Sequence, residues 1–271
     1  MTTGLSAQQL SGSLQQVVAL CKEVGDFQLK HWQQVKAEEI ADKGLNQLVS
    51  FVDKESEQKL MQGLAEILPG SCFIGEEFTP DSNLTDQPTW IIDPLDGTTN
   101  FLHGLPIFAV SVALWDSGDT QLGVVHSPAM NETFTAIRGQ GAYLNNKSLW
   151  LSGSIQLSQS LIATGFPYYE FEKMTPYLEL LSHLMRSTHG LRRMGSAAID
   201  LAYVAAGRFD AFYEMGLAPW DVAAGALLVE EAGGFVSNFQ GGSSVLFKKE
   251  IIAAHPSMGR DFLAMVSEKL A

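Results

Sequence analysis

The stretch Trp90-Ile91-Ile92-Asp93-Pro94-Leu95-Asp96-Gly97-Thr98-Thr99-Asn100-Phe101 decides how this chain is interpreted. Its apolar start predicts a buried strand that ends at Asp93, because the residue before a proline is driven into extended backbone. Asp96 follows just before Gly97, which permits a tight turn. The two carboxylates and the carbonyl of Leu95 can therefore face one point, and hard oxygen donors of this kind suit Mg²⁺ or Mn²⁺ far better than Zn²⁺. The backbone N–H groups that follow, at a predicted helix start, offer a site for a phosphate.

Two further acidic motifs strengthen this interpretation. Glu76, in Gly75-Glu76-Glu77, follows a predicted strand, and Asp221, in Trp220-Asp221-Val222-Ala223-Ala224-Gly225, lies in the first turn of a predicted helix. Each motif taken alone also fits an ordinary structural role, as a surface turn, a solvated glutamate pair or a helix N-cap. Carboxylates gathered at strand and helix ends need cations to hold them together.

Composition excludes several classes of protein. The 271 residues include 30 acidic and 17 basic side chains, giving a formal net charge of -13. This charge argues against general nucleic-acid binding and against attraction to an anionic membrane. A small anionic substrate would need bound metal as its local positive charge. The two cysteines, Cys21 and Cys72, form no CxxC pair, and neither a signal peptide nor a membrane span is predicted, so we expect a cytoplasmic protein.

Hydrophobic periodicity predicts a layered α/β fold in a single domain over residues 1–271. The half before about residue 150 is predicted to be α+β, with helices over 6–34 (capped by Ser6) and 53–68, and strands over 72–74, 90–92, 107–115, 121–126 and 132–138. The half over about 151–271 is predicted to alternate, with strands over 161–163, 209–213 and 251–253, and helices over 175–186, 196–206, 221–232 and from 257 onwards.

In order and spacing, the three acidic motifs resemble the signatures of the inositol monophosphatase family. Members of this family are Mg²⁺-dependent, lithium-sensitive sugar phosphatases. The resemblance runs from the first helix to about Gly242 and includes four further stretches: Gly123-Val124-Val125, Arg138-Gly139-Gln140-Gly141-Ala142, Gly195-Ser196-Ala197-Ala198 and Tyr213-Glu214-Met215-Gly216. It implies the layered αβαβα sugar-phosphatase fold, a homodimer and a small phosphate ester as substrate, most of all myo-inositol 1-phosphate.

The resemblance also implies a set of metal ligands. Glu76, Asp93 and the Leu95 carbonyl would bind a first Mg²⁺. Asp93, Asp96 and Asp221 would bind a second, and a third, weaker ion would lie near Glu76. Mn²⁺ is a possible substitute for Mg²⁺.

Further residues take substrate and catalytic roles by the same resemblance. Gly97 and Thr98 would hold the phosphate, and Thr98, supported by Asp53, would position the attacking water, so that Glu76, Thr98 and Asp53 form the catalytic set. Glu214 and the backbone near Ala197 would contact the alcohol hydroxyls, and Asp96 also counts among the substrate-binding residues. Lys43 could offset the acidic charge.

Some features depart from the family pattern or leave alternatives open. Val52 stands where many members have threonine, and Leu217-Ala218-Pro219 is apolar where animal members carry a histidine near position 218, which weakens the inference about the alcohol subsite. Leu191-Arg192-Arg193 is a small basic stretch near the predicted site, and it fits either salt bridging or an electrostatic or interface role. The alternatives to hydrolysis of inositol phosphate are a sister activity on fructose 1,6-bisphosphate, histidinol phosphate or NADP, or a regulatory binding protein that retains the fold.

Because no cysteine or serine nucleophile signature is present, we expect direct attack by water and no phosphoenzyme.

Overall fold

The computed structural model describes residues 4–44, 47–80, 83–167 and 171–271, and of residues 42–44 and 47 it describes the backbone only. Within these residues there are seven α-helices: α1 (Ala7–His31), α2 (Phe51–Ile67), α3 (Thr98–Leu102), α4 (Met174–Ser187), α5 (Ala197–Ala205), α6 (Pro219–Glu231) and α7 (Gly259–Leu270). The strands in the same residues are β1 (Ile40–Gly44), β2 (Gln47–Ser50), β3 (Cys72–Gly75), β4 (Thr89–Asp96), β5 (Ala109–Asp116), β6 (Asp119–Ser127), β7 (Glu132–Ile137), β8 (Gly141–Leu144), β9 (Lys147–Leu149), β10 (Leu161–Thr164), β11 (Gly190–Arg192), β12 (Ala211–Met215), β13 (Phe235–Ser237) and β14 (Glu250–Ala254).

The strands form two large sheets and a hairpin. The seven-stranded sheet has the order β3-β4-β5-β6-β7-β8-β9, in which β3 and β4 are parallel and all later neighbours are antiparallel. The five-stranded sheet has the order β11-β10-β12-β14-β13, with β10 parallel to both of its neighbours. The hairpin pairs β1 with β2, and the sequence patterns did not predict it.

Side-chain alternation along the strands shows how the layers stack. In β4, Trp90 and Ile92 pack with α1 and α2, whereas Ile91 between them packs with α5 and α6 on the opposite face. In β12, Phe212 faces the α5 and α6 side, and Tyr213 faces α4 and α7. The order is therefore helices, sheet, helices, sheet, helices, which confirms the predicted αβαβα architecture. None of the described helices is both long enough and apolar enough to cross a membrane.

The central helix pair, α5 and α6, packs closely because Gly225 leaves room for a leucine of the facing helix. A β-carbon added to Gly225 in α6 would lie 2.6 Å from the side chain of Leu201 in α5. Both helices also contribute to the apolar cluster that contacts both sheets. This shared cluster supports the prediction of one domain, which stays a prediction.

Helix α2 begins earlier than the sequence pattern predicted. The prediction placed its start at Asp53, but the helix begins at Phe51, with Ser50 as N-cap. The Asp53 carboxylate accepts a hydrogen bond from the Ser50 backbone N–H at 2.8 Å, and the Ser50 hydroxyl accepts one from the Val52 N–H at 3.1 Å. Capping of this kind places Asp53 in the first turn and fixes its side chain. Helix α1 starts after Ser6 as predicted, and it ends at His31 rather than residue 34.

The prediction that the strand ends at Asp93 was wrong. Strand β4 continues to Asp96, but its pairing with β5 is irregular between Asp93, which pairs with Ser111, and Asp96, which pairs with Ala109. Pro94 has no N–H to donate, so the ladder is interrupted there without ending the strand. In a regular strand, residues three apart point to opposite faces of the sheet. The irregularity therefore allows both carboxylates to meet on one side.

Candidate active site

One cavity of about 220 Å³ collects nearly all of the residues that the sequence singled out. It lies where the ends of β3, β4 and β12 meet the starts of α3, α5 and α6. The predicted site residues among its lining are Glu76, Asp93, Leu95, Asp96, Gly97, Thr98, Ala197, Glu214 and Asp221. Asp53 is not part of this lining and contacts the cavity through Thr98. The side chain of Lys43 lies outside the described residues.

Three carboxylates converge in the cavity. Asp93, Asp96 and Asp221 each offer an oxygen, and these oxygens all lie within 4.8 Å of one another. Asp93 accepts the Leu95 N–H at 2.9 Å, and Asp221 accepts the Ala218 N–H at 2.7 Å. The arrangement holds three acidic groups at the close spacing that a shared cation requires.

Burial and mutual repulsion disfavour charge on this cluster. Burial raises the pKa of Asp93 well above its usual value, and the negative charges of Glu76 and Asp96 raise it further. The pKa of Asp221 is raised by the same causes, burial first and then the charge of Asp96. Burial raises the pKa of Asp96 to about 6, although hydrogen bonds limit this rise. A set of buried oxygen donors that repel one another fits a divalent metal such as Mg²⁺.

The start of α5 supplies the hydrogen bonds to Asp96. The Ser196 hydroxyl donates to Asp96 Oδ2 at 2.5 Å, and the Ala198 backbone N–H donates to the same oxygen at 2.7 Å. Ser196 is also the N-cap of α5. Sequence reasoning assigned no role to Ser196, although a serine directly before an alanine-rich helix is a recognisable capping signal.

Thr98 and Asp53 form a polar pair beside the acidic cluster. The Thr98 hydroxyl lies 2.8 Å from Asp53 Oδ1 and 3.0 Å from the Leu95 carbonyl oxygen. A hydroxyl has one proton and two lone pairs, so it can donate to one of these oxygens and still accept a hydrogen bond from a water. Burial raises the pKa of Asp53, and the hydrogen bonds that it receives from Ser50 oppose this rise. The pair has the geometry to orient a water next to the carboxylates.

Two buried polar side chains contact the backbone beside the acidic residues, and sequence reasoning missed both. Glu57 of α2 accepts the backbone N–H groups of Glu77 at 2.8 Å and Phe78 at 3.0 Å, directly after Glu76. Gln28 of α1 donates to the Pro94 carbonyl oxygen at 2.6 Å, between Asp93 and Leu95. A polar residue on the apolar face of an amphipathic helix is the signal that could have found them.

Glu214 and Arg193 line the same cavity as the three carboxylates. Glu214 lies on β12, and burial raises its pKa to about 8, while the positive charge of Arg193 opposes this rise. Burial likewise raises the pKa of the neighbouring Asp200 well above its usual value. Arg193 also lowers the pKa of Asp96 through its positive charge, which fits the electrostatic role that the sequence left open for it. Leu217 and Ala218 form part of the wall and supply no polar side chain.

Comparisons with known proteins place these features in context. A family profile described as "Inositol monophosphatase family" matches residues 10–270. "Nus factor SuhB" of Escherichia coli (strain K12) is 43% identical over 94% of this chain and 95% of its own length. "Inositol-1-monophosphatase" of Mesorhizobium japonicum is 40% identical over 96% of this chain and 98% of its own length. The solved structure of a Thermotoga maritima IMPase superposes with a TM-score of 0.85 at 34% identity, covering 93% of this chain and 96% of that one.

Proposed function

Because the chain belongs to the inositol monophosphatase family, we propose that it is a Mg²⁺-dependent phosphomonoesterase that hydrolyses myo-inositol 1-phosphate and related sugar-alcohol phosphates. The observation that carries this proposal is the convergence of three carboxylates within 4.8 Å of one another. They share one cavity with Thr98 and Glu214. Family membership supports a phosphatase, and the choice of alcohol is the part that is proposed.

The metal ligands are assigned from the cavity and the motifs together. Glu76, Asp93 and the Leu95 carbonyl would hold one Mg²⁺, and a third, weaker ion would lie near Glu76. Asp93, Asp96 and Asp221 would hold the second ion. When bound, Mg²⁺ supplies Lewis-acid chemistry, because it lowers the pKa of water and neutralises charge on a phosphate ester. The raised pKa values of Asp93 and Asp221 support this assignment, since a cation would relieve the repulsion that raises them.

The phosphate would lie against the turn that follows Asp96. Gly97 adopts the left-handed conformation with φ of 91° and is the N-cap of α3. A β-carbon at this position would lie 2.8 Å from the Ile107 carbonyl oxygen. The turn therefore requires glycine both for its conformation and for its space. The backbone N–H groups of Gly97 and Thr98 would donate hydrogen bonds to the phosphate oxygens.

The remaining residues would orient water and alcohol. The Thr98 hydroxyl, held by Asp53, would accept a hydrogen bond from the attacking water and aim it at phosphorus. Glu214 and the backbone of Ala197 would bind the hydroxyl groups of the leaving alcohol. Direct in-line attack by water needs no protein nucleophile, so no phosphoenzyme is part of the proposal.

A substrate panel tests the proposed function. Phosphate release from myo-inositol 1-phosphate, fructose 1,6-bisphosphate, histidinol phosphate and NADP would be measured with Mg²⁺, with Mn²⁺ and in excess EDTA. We expect inositol 1-phosphate to have the highest kcat/KM and EDTA to abolish turnover. Preference for another ester would transfer the proposal to a sister activity, and turnover in EDTA would contradict the metal mechanism.

A regulatory binding role is the second candidate, because a relative at 43% identity over nearly the whole chain is named "Nus factor SuhB". Complementation of Escherichia coli cells that lack that relative would test it, with wild type and the charge-removing variant Asp93→Asn compared. Complementation by both proteins would support a binding role that is independent of hydrolysis. The homodimer and the cytoplasmic location expected from the sequence remain part of the proposal, and light scattering coupled to gel filtration tests the former.

A further inference from the structure

Gly165 directly follows β10 and leaves the space in which the Glu214 carboxylate lies. A β-carbon built on Gly165 would be 1.8 Å from both Cδ and Oε1 of Glu214 and 2.1 Å from Oε2. Separations this short mean overlap with the carboxylate group itself. Gly165 is outside the left-handed region, so an alanine could adopt its backbone conformation. The requirement for glycine at this position is therefore one of volume.

A buried hydrogen-bond network fixes the backbone around this space. The Thr164 hydroxyl donates to the Tyr213 carbonyl oxygen at 2.8 Å, which ties the end of β10 to the residue before Glu214. The Tyr177 hydroxyl, from α4, donates to the Gly165 carbonyl oxygen at 2.5 Å and lies 2.7 Å from the Thr164 hydroxyl oxygen. Thr164 and Tyr177 are both buried. Hydrogen bonds thus connect β10, β12 and α4 next to the Glu214 carboxylate.

We propose that Gly165 is a positioning residue for Glu214, and that the Thr164–Tyr177 network holds the space at Gly165 constant. The α-carbon of Gly165 and the Glu214 carboxylate are in contact, so Glu214 keeps this location only while position 165 has no side chain. This inference deepens the proposed function and rests on it for the assignment of Glu214 to the alcohol hydroxyls. It makes Gly165 a determinant of which alcohol is accepted, with no contact to substrate of its own.

Gly165→Ala is the direct test. We expect kcat/KM for myo-inositol 1-phosphate to fall by about 10- to 100-fold, the worth of a hydrogen bond to a charged group, mainly through KM. With p-nitrophenyl phosphate, whose leaving group offers no ring of hydroxyls, kcat/KM should stay within about 3-fold of wild type. Equal losses on both substrates, or unchanged preference for inositol 1-phosphate, would overturn the inference. Gly12→Ala in α1 is the matched control, because nothing lies within 4 Å of a β-carbon there.

A double-mutant cycle with Glu214→Ala separates positioning from general damage. Once the carboxylate is removed, Gly165→Ala should cause no further loss on inositol 1-phosphate, whereas an additive loss would contradict the proposal. Stability gives a second readout, since Gly165→Ala should lower the melting temperature and the double variant should regain most of the difference. If Gly165→Ala alone does not fold, a double variant that folds supports the overlap, and one that does not fold refutes it.

Tyr177→Phe tests the network without changing side-chain shape. The loss of its hydroxyl should raise KM for inositol 1-phosphate and leave p-nitrophenyl phosphate kinetics unchanged, and an unchanged KM for inositol 1-phosphate would refute the network's role. If wild type itself shows no preference for inositol 1-phosphate, the proposed function fails. The melting temperatures of the single and double variants at Gly165 and Glu214 would still show whether Gly165 positions the Glu214 carboxylate.

Discussion

Asp93→Asn should make the metal-free protein more stable and the enzyme inactive. The substitution keeps the shape of the side chain and leaves an oxygen to accept the Leu95 N–H, which Asp93 accepts at 2.9 Å. It removes one negative charge from a side chain that is only 2% exposed. Glu76, Asp96 and Asp221 all raise the pKa of Asp93, so each of them repels its charge.

The size of the gain follows from the spacing of the carboxylates. Oxygens within 4.8 Å of one another repel by about 3.5 kcal/mol per pair when the effective dielectric constant is about 20. The folded protein can avoid this repulsion by holding a proton on Asp93. At pH 7 that proton costs about 4 kcal/mol for a group whose unfolded pKa is near 3.9, which sets the upper limit. We therefore expect Asp93→Asn to raise the free energy of unfolding by about 1 to 4 kcal/mol in EDTA.

Chemical denaturation in EDTA and in Mg²⁺, with activity measured in parallel, checks this prediction. Mg²⁺ should stabilise wild type and leave Asp93→Asn nearly unchanged, and the activity of the variant should fall by more than about 10²- to 10³-fold. Asp116→Asn is a matched control, because Asp116 is also buried but lies at the opposite end of β5 from the residue that pairs with Asp96. Lower stability of Asp93→Asn than of wild type in EDTA, or equal stabilisation of both proteins by Mg²⁺, would contradict charge repulsion at a shared metal site.

Three further outcomes are expected. Glu214→Gln should raise KM for inositol 1-phosphate while Mg²⁺ affinity, measured by calorimetry, stays unchanged; an equal loss of Mg²⁺ affinity would place Glu214 among the metal ligands. Burial raises the pKa of Asp96 to about 6, so the folded state holds more protons than the unfolded state above pH 4. The melting temperature in EDTA should therefore fall as pH rises from about 4 to 6. A rise over this range would contradict a raised pKa of Asp96 in the folded protein. Li⁺ should replace Mg²⁺ at the site of Asp96 and Asp221 after the alcohol leaves, so inhibition should strengthen with substrate concentration, and purely competitive kinetics would reject this order.

The sequence predicted those parts of the fold whose signals are local. The Ser6 cap and the turn over residues 116–119 depend on neighbouring residues and lie where they were predicted. The small-residue helix predicted over 221–232 is also present, although it begins two residues earlier, at Pro219, and ends at Glu231. The continuation of β4 past Pro94 could not be predicted from neighbouring residues, because it depends on the pairing of Asp96 with Ala109 after the interruption. A layered α/β fold was predicted from the hydrophobic pattern and its αβαβα order through the family resemblance, and both are confirmed by the alternation of core residues between the faces of β4 and of β12.

In the candidate site, too, the sequence predicted the features with local signals and missed those that depend on distant contacts. Motif spacing identified the carboxylates that lie together: Asp93 and Asp96 lie in the last four residues of β4, and Asp221 lies in the first turn of α6. Glu57, Gln28 and Ser196 were missed because the residues that they contact lie far from them in the sequence, so that their polarity or capping position could be noticed but their partners could not be identified. Gly165 was missed for a related reason, since its lack of a side chain matters only once β12 is known to lie beside β10.

The central claim is that the carboxylates at the end of β4 and the start of α6 form a metal centre that holds a phosphate ester. Crystals grown with Mn²⁺ and inorganic phosphate, with anomalous scattering measured at the manganese edge, test it most directly. We expect one anomalous peak bonded to oxygens of Asp93, Asp96 and Asp221, and a second bonded to Glu76, Asp93 and the Leu95 carbonyl. We expect phosphate against the N–H groups of Gly97 and Thr98. Manganese bound only elsewhere, or a cavity that takes up neither Mn²⁺ nor phosphate, would contradict it.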